Sequence, residues 1–122
     1  MRVSELYHGA IALISAVNND ESYQVYKIPL INQCLADLFD VGNQMLASEG
    51  KPRLYSIPTV AYDTDTVPYG ERLCKDVMVW RLAQYLIMDD NDPRYNVFEN
   101  EYTRRLGKYN LGVPGLIGDF YE

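Results

Sequence analysis

Four segments of the chain place apolar residues every three to four positions, and the spacing predicts a helix in each. The first helix is predicted over 5–17, with Ser4 as its N-cap and the polar residues 18–20 at its end. The second is predicted over 28–47, with Pro29 in the first turn, where the missing N–H has no helical partner to lose. Both helices have one apolar side and one polar side.

The third and fourth helices are predicted over 69–88 and 93–108. Asp92 is placed to cap the fourth helix, and Pro93 fits its first position. The second half of the third helix, 77–88, is apolar around almost its whole circumference, which is typical of a helix buried on several sides. One neighbouring layer covers one face, so we expect the rest to need the arm, the tail or another subunit. This pattern is the strongest indication of an oligomer.

The segment 51–68 breaks the helical pattern. Its three prolines, together with β-branched and aromatic residues, predict an extended arm or a loose hairpin that turns near 63–65. A connection of about eighteen residues is long, and long ordered loops are often functional. The C-terminal tail, 110–122, combines glycines and a proline with apolar residues, and we expect it to dock on a partner or on its own core. The prediction is an all-α fold: one domain, 1–122, of four helices with an arm and an irregular tail.

Composition excludes several classes of protein. Seventeen acidic against eleven basic residues give a net charge of −6, which repels phosphate backbones and makes sequence-specific duplex binding a poor expectation. We expect no secretory signal, and no membrane segment, because the longest apolar run of about twelve residues is shorter than a bilayer requires. Cys34 and Cys74 lack C-x-x-C spacing and are interpreted as small buried thiols.

Candidate chemistry is sparse. His8 is the single histidine, and no serine or cysteine is placed by a known motif to act with it. The acidic run 89–92 lacks the glycine and glutamate of a calcium loop, and helix capping explains it better. No phosphate-binding glycine motif is present. We therefore expect no catalytic residue, no metal ion and no cofactor; a metal or substrate held beside His8 would favour an enzyme instead.

A second class is a small, non-enzymatic regulatory or DNA-binding protein of the helix-turn-helix type. It requires a short turn between two helices and a basic recognition helix. Arg104, Arg105 and Lys108 form the only basic cluster, but Glu99 and Glu101 lie on the same predicted helix. We expect a mixed, solvated face there. The eleven tyrosines suit protein interfaces, because each joins a large apolar ring to a polar tip.

The order of parts between residues 28 and 109 is distinctive. An amphipathic opening, 28–35, precedes the arm, and Val67-Pro68-Tyr69 then leads into the apolar helix. The break Met88-Asp89-Asp90-Asn91-Asp92 follows, and a final helix carries aromatic residues from Tyr95 to Tyr102. This order resembles the small helical head–tail connector proteins, also called adaptor or head-completion proteins, of tailed bacteriophages.

The resemblance implies a structural virion protein of the neck, made in the host cytoplasm and without enzymatic activity. It implies a homo-oligomeric ring, of about twelve copies, bound beneath the portal protein. Such a ring extends the DNA channel and presents a surface to further neck or tail proteins, while double-stranded DNA passes without sequence-specific binding. The sequence leaves open whether the position is that of an adaptor, a stopper or a tail-completion protein.

One face of the second predicted helix carries amides and carboxylates but no lysine or arginine. A channel through which DNA slides should not bind phosphates, so Asp37 and Asp40 are candidates for lumen-facing residues. An ordinary solvent face is the alternative. The candidates for contacts with neighbouring subunits or the portal lie on the arm, the apolar helix and the tail: Tyr55, Ile57, Tyr62, Trp80, Leu116, Ile117, Phe120 and Tyr121.

Overall fold

Residues 1–14 and 21–110 are described by the computed structural model, and this part of the chain is mostly helical. The four predicted helices correspond to α1, to α3 with α4, to the stretch from α5 through a π-helical segment to α6, and to α7. The short α2 has no predicted counterpart, because four residues carry too little periodicity. The helices are α1 (Val3–Ile14), α2 (Glu21–Gln24), α3 (Lys27–Asp37), α4 (Phe39–Ser48), α5 (Glu71–Leu73), the π-helical segment (Cys74–Met78), α6 (Val79–Leu86) and α7 (Arg94–Asn110).

The central helix of the fold is the unbroken stretch from α5 to α6. Helices α1, α3 and α7 pack around it, and Leu73, Val77 and Leu82 on it are completely buried. Trp80 is half-buried, and the side chain of Met88, just beyond the end of α6, is exposed. The prediction was that one layer covers one face and that the rest needs the arm, the tail or another subunit. Three helices of the same chain surround it, where the prediction allowed for one layer.

Helices α3 and α4 act as one helix with an irregularity at Leu38. The Leu38 N–H donates to the carbonyl of Cys34 (3.0 Å), and the Gly42 N–H donates to the carbonyl of Leu38 (2.7 Å). Hydrogen bonds of helical spacing thus continue through the break. The predicted helix over 28–47 corresponds to this pair.

Tyr69 joins the end of the arm to this helix pair. Its buried ring lies against Gly42, where a Cβ atom would come within 2.6 Å of the ring. Its hydroxyl donates to the carbonyl of Leu35 (2.5 Å). Tyr69 was predicted to begin the third helix, but it precedes α5 because its side chain is held in the core between α3 and α4.

The N-terminus of α1 is capped by the arm. The Val3 N–H donates to the carbonyl of Asp65 (3.0 Å), and the Ser4 N–H donates to the carbonyl of Asp63 (3.1 Å). These carbonyls satisfy N–H groups that a capping side chain would otherwise serve. The helix therefore begins at Val3, and the prediction of Ser4 as N-cap is wrong.

The other predicted helix ends have mixed outcomes. Asp92 Oδ1 accepts a hydrogen bond from the Arg94 N–H (2.9 Å), which confirms Asp92 as the cap of α7. The predicted end of the first helix at 18–20 lies outside the described residues, as does the tail beyond Asn110. None of the helices described over 1–14 and 21–110 combines the length and apolar character needed to cross a bilayer.

Candidate functional site

Two asparagines on the polar face of α3 and α4 hold the arm. The Asn32 Nδ2 donates to the carbonyl of Val60 (3.1 Å), and its Oδ1 accepts the Val60 N–H (2.7 Å). Asn43 makes the same pair of bonds with Leu54, at 3.0 and 2.8 Å. Each side-chain amide thus supplies both a donor and an acceptor to the backbone of one arm residue. The arm is held both by these backbone contacts and by the side chains of Val60 and Val67, which lie in the core.

The arm runs antiparallel to the helix pair between these contacts. The helix from Asn32 to Asn43 is about 17 Å long at 1.5 Å per residue, and the arm from Leu54 to Val60 spans about 20 Å if extended. The two clamps are thus separated by similar lengths of helix and arm, and the arm bends at 55–56 between them. A third contact follows at Lys27, whose ammonium pairs with Asp63 at 2.7 Å.

The sequence analysis missed the role of these two asparagines, although a signal was available. Asn32 and Asn43 are eleven residues apart, which is close to three helical turns, so both side chains lie on the same side of the helix. Polar residues in that register were interpreted as a solvent or lumen face. The partner is a segment distant in sequence, and helical periodicity does not identify such a partner.

Large apolar side chains project from the arm into solvent. Tyr55, Ile57 and Tyr62 are all exposed, and Tyr55 is completely so. These three predicted contact residues are therefore accessible in the single chain. Tyr55 and Ile57 lie between the two clamped residues of the arm, and their side chains extend away from the core.

The remaining predicted contact residues are placed differently. The Trp80 ring packs edge-on against Phe98, with 5.6 Å between ring centroids, and the Arg105 guanidinium lies 4.8 Å from the Trp80 centroid. Trp80 thus contributes mainly to the packing of α6 against α7. The four predicted residues of the tail lie outside the described residues: Leu116, Ile117, Phe120 and Tyr121.

Asp37, a candidate lumen residue, is not a free carboxylate. The Arg81 Nε donates to its Oδ2 (3.2 Å), the Gln33 amide donates to its Oδ1 (3.0 Å), and the Tyr85 hydroxyl also donates to it. The side chains of Arg81 and Asp37 are 23% and 21% exposed, so water reaches this pair only in part. Helix 28–47 carries no cation of its own on this face, but α6 supplies one.

Arg81 is the centre of a network that joins α3, α6 and α7. Its guanidinium lies 4.7 Å from the ring centroid of Tyr85 and 4.6 Å from that of Tyr102. Its Nη1 donates to the Oε1 of Gln84 (2.9 Å), a fully buried side chain. Burial raises the pKa of Tyr102 to about 12, so this hydroxyl stays neutral near pH 7. With its charge compensated and its phenols neutral, the network serves packing better than chemistry.

Asp40, the second candidate lumen residue, lies on α4 and is exposed. It forms no ion pair within the described part of the chain. Its charge is therefore available to whatever passes or binds that face, in contrast to the charge of Asp37.

The described residues offer little for catalysis. Burial raises the pKa of the Cys34 thiol, which the Asp37 carboxylate raises further, and burial raises the pKa of Cys74 to about 11. Both cysteines are buried and unpaired, which confirms their interpretation as buried thiols. His8 lies exposed on α1. Within 1–14 and 21–110, no three side chains of His, Cys, Asp or Glu come together as metal ligands would.

Two of the three basic residues of the cluster on α7 are paired with neighbouring carboxylates. Arg104 and Arg105 both donate to Glu101, and Arg105 also donates to Asp76 (2.6 Å). Hydrogen bonds from Arg104 and Arg105 lower the pKa of Glu101 to about 2, so this carboxylate stays charged at neutral pH. These contacts support the predicted mixed face and leave little free positive charge for a phosphate.

Replacing Asn43 by alanine should loosen the arm without unfolding the helices. The Leu54 N–H and carbonyl would lose their partners, at a cost of about 1–2 kcal/mol. The Leu54 amide should then exchange with deuterium faster, which hydrogen-exchange mass spectrometry or NMR measures. Gln44→Ala, on the adjacent exposed position, is the matched control and should leave this exchange rate unchanged. Equal rates in the two variants would contradict the clamp.

Comparison with known proteins gives no relative by which to assign this chain. No family model, no curated protein and no solved structure matches it.

Proposed function

We propose that this chain is a structural protein of a tailed-phage virion, a head–tail connector that forms a ring beneath the portal, extends the DNA channel and links head to tail. Its four main helices and arm would form one ring subunit. The observation that carries the proposal is the arm, whose backbone is fixed by Asn32 and Asn43 while Tyr55 and Ile57 project into solvent. A fixed backbone reduces the entropy lost on binding, and exposed aromatic side chains are typical interface residues.

The distribution of charge supports a conduit better than a DNA-binding protein. The chain is acidic overall, and Arg104 and Arg105 are paired with carboxylates. A helix-turn-helix protein needs free basic side chains to contact phosphates. DNA that slides through a ring needs the opposite, a wall that does not bind it. We assign Asp40 as the lumen candidate, since Arg81 compensates the charge of Asp37.

The partners of the proposal are other copies of this chain, the portal protein, and the neck or tail proteins that follow. The assignment draws on the order of parts along the sequence and on the accessible arm. The ring would be made in the host cytoplasm and would act in the virion neck.

Imaging by cryo-electron microscopy of the purified chain mixed with portal particles tests this function. A ring added coaxially to the portal is expected. The double variant Tyr55→Ser, Ile57→Ser should lose the ring, whereas Val97→Ser, at an exposed apolar position on α7, should keep it. No association of the unaltered chain under packaging-like conditions would overturn the proposal.

The lumen assignment has its own measurement. Asp40→Lys should impair genome retention or ejection while leaving ring formation intact, because a cation at the wall would attract phosphates. Unchanged infectivity with this variant would reject the assignment of Asp40 and leave the ring itself in place.

A further inference from the structure

A notch of about 200 Å³ lies where α2 and α3 meet the end of α6. Tyrosine rings form much of its wall, and two carboxylates stand at its edge. The residues that matter for its chemistry are Tyr23, Tyr26, Tyr85, Met88, Asp89 and Asp90. Aromatic faces and carboxylates together suit a cation, in particular the planar guanidinium of arginine.

The charge at the notch is negative because the surrounding cations are already paired. Asp90 accepts a hydrogen bond from the Tyr23 hydroxyl (2.6 Å), and Asp89 forms no ion pair within the described part of the chain. The cations of the surrounding helices each have a carboxylate partner: Lys27 with Asp63, Arg81 with Asp37 and Arg94 with Asp92. An added cation would therefore meet net negative potential.

Exposed apolar side chains surround the notch and recur at the arm. Val25 and Tyr26, between α2 and α3, and Met88, beyond α6, are all at least 48% exposed. Tyr55 and Ile57 form the second group, on the arm. The first group surrounds the notch, which is concave and acidic, and the second group projects from the arm. Isolated exposed apolar residues need no explanation, but two such groups indicate interaction surfaces.

The projecting group also carries an unused cation. Arg53 is exposed, two residues before Tyr55, and makes no ion pair with any residue in the described ranges. Arginine and tyrosine are the residue types most enriched among the side chains that dominate binding energy. We define the arm tip as residues 53–57. Its charge and its apolar side chains complement those of the notch.

The arm tip cannot reach the notch of its own chain. Leu30 lines the notch, and Asn43 holds the arm at Leu54. These positions are thirteen residues apart along α3 and α4, or about 20 Å. The two surfaces therefore lie at opposite ends of the helix pair, and a second copy must supply the occupant.

We propose that the arm tip of one copy docks in the notch of the next, with Arg53 between the tyrosine rings and facing Asp89 and Asp90. A contact between two different surfaces repeats head to tail, and it closes into a ring when the rotation allows. The inference rests on the proposed function, because the contact would join neighbouring subunits of the proposed ring. It identifies which two surfaces meet.

A peptide of residues 50–58, titrated into the full ¹⁵N-labelled chain and followed by NMR, tests the contact. The largest shifts are expected at Tyr26, Met88 and Asp89. A peptide with Arg53→Ala should bind about tenfold more weakly, from loss of the cation–π and ionic contacts. Adding 0.5 M NaCl, about tenfold above a low-salt buffer, should also weaken binding.

Variants of the chain provide the matched control. Asp89→Asn with Asp90→Asn removes both charges but keeps an acceptor for Tyr23, and it should weaken the peptide about as much as Arg53→Ala does. Glu99→Gln removes an exposed carboxylate on α7 and should leave the affinity unchanged. Shifts that avoid the notch, or equal binding of the two peptides, would overturn the inference.

The outcomes separate this inference from the proposed function. Peptide bound in the notch, without any ring on portal particles, would contradict the connector function and keep the contact. A ring on the portal that forms equally well with Arg53→Glu would keep the connector function and overturn the contact.

Discussion

Replacing Arg81 by methionine is expected to lower the free energy of unfolding by about 2–4 kcal/mol. Methionine keeps an apolar stem between Tyr85 and Tyr102 but removes the guanidinium. Asp37 would retain a shielded charge without a cation, and the buried Gln84 would lose the donor to its Oε1. A partly covered charge that loses its partner is costly, because water replaces the lost contact only incompletely. Urea denaturation at pH 7 measures the change.

Two further variants separate this network from ordinary surface pairing. Adding Asp37→Asn to Arg81→Met removes the orphaned charge and should recover at least about 1 kcal/mol of the loss. Arg104→Met breaks the exposed pair with Glu101 and should cost less than about 1 kcal/mol. Equal losses for the Arg81 and Arg104 variants would contradict the shielded network.

The helical elements were predictable because amphipathic periodicity is a local property. The predicted helices over 28–47 and 93–108 correspond closely to α3 with α4 and to α7. Asp92 was recognisable as a cap because its partner N–H is two residues away. The N-terminus of α1 differs, since its cap comes from carbonyls more than fifty residues along the chain.

The covering of the central helix was not predictable from its own sequence. An all-round apolar helix shows only that several surfaces must meet it, and α1, α3 and α7 supply them within one chain. The exposed face of an oligomer therefore has to be sought elsewhere. The arm residues Tyr55 and Ile57 were identifiable because their segment breaks the helical pattern, whereas the clamp at Asn43 depends on a contact that sequence spacing does not show.

The candidate site, like the fold, was predictable from the sequence only in part. Asp37 and Asp40 are three residues apart and equivalent in the sequence, yet one is paired with Arg81 and the other is not. The notch was missed because Tyr26, Tyr85 and Asp89 come from separate segments, and the acidic run at 89–92 was explained by helix capping. That explanation holds for Asp92 and leaves Asp89 and Asp90 available.

Alanine in place of Gly42 and of Gly107 should change stability in opposite directions, although both glycines lie within helices. Local propensity favours alanine at each position by about 0.5–1 kcal/mol. At Gly107 a Cβ would meet nothing within 4 Å, so Gly107→Ala should gain that amount. At Gly42 the added atom would come within 2.6 Å of the buried ring of Tyr69.

Gly42→Ala should therefore lower the free energy of unfolding by about 1–3 kcal/mol, because a fixed ring cannot yield without cost. The Tyr69 hydroxyl donates to the carbonyl of Leu35, so displacing the ring also strains that hydrogen bond and the junction between the arm and α5. Urea denaturation of the two variants and of the unaltered chain measures the sign of each change in the free energy of unfolding. If Gly42→Ala stabilised the chain as Gly107→Ala does, the ring of Tyr69 would not pack against Gly42. Tyr69 would then not anchor the C-terminal end of the arm to the helix pair.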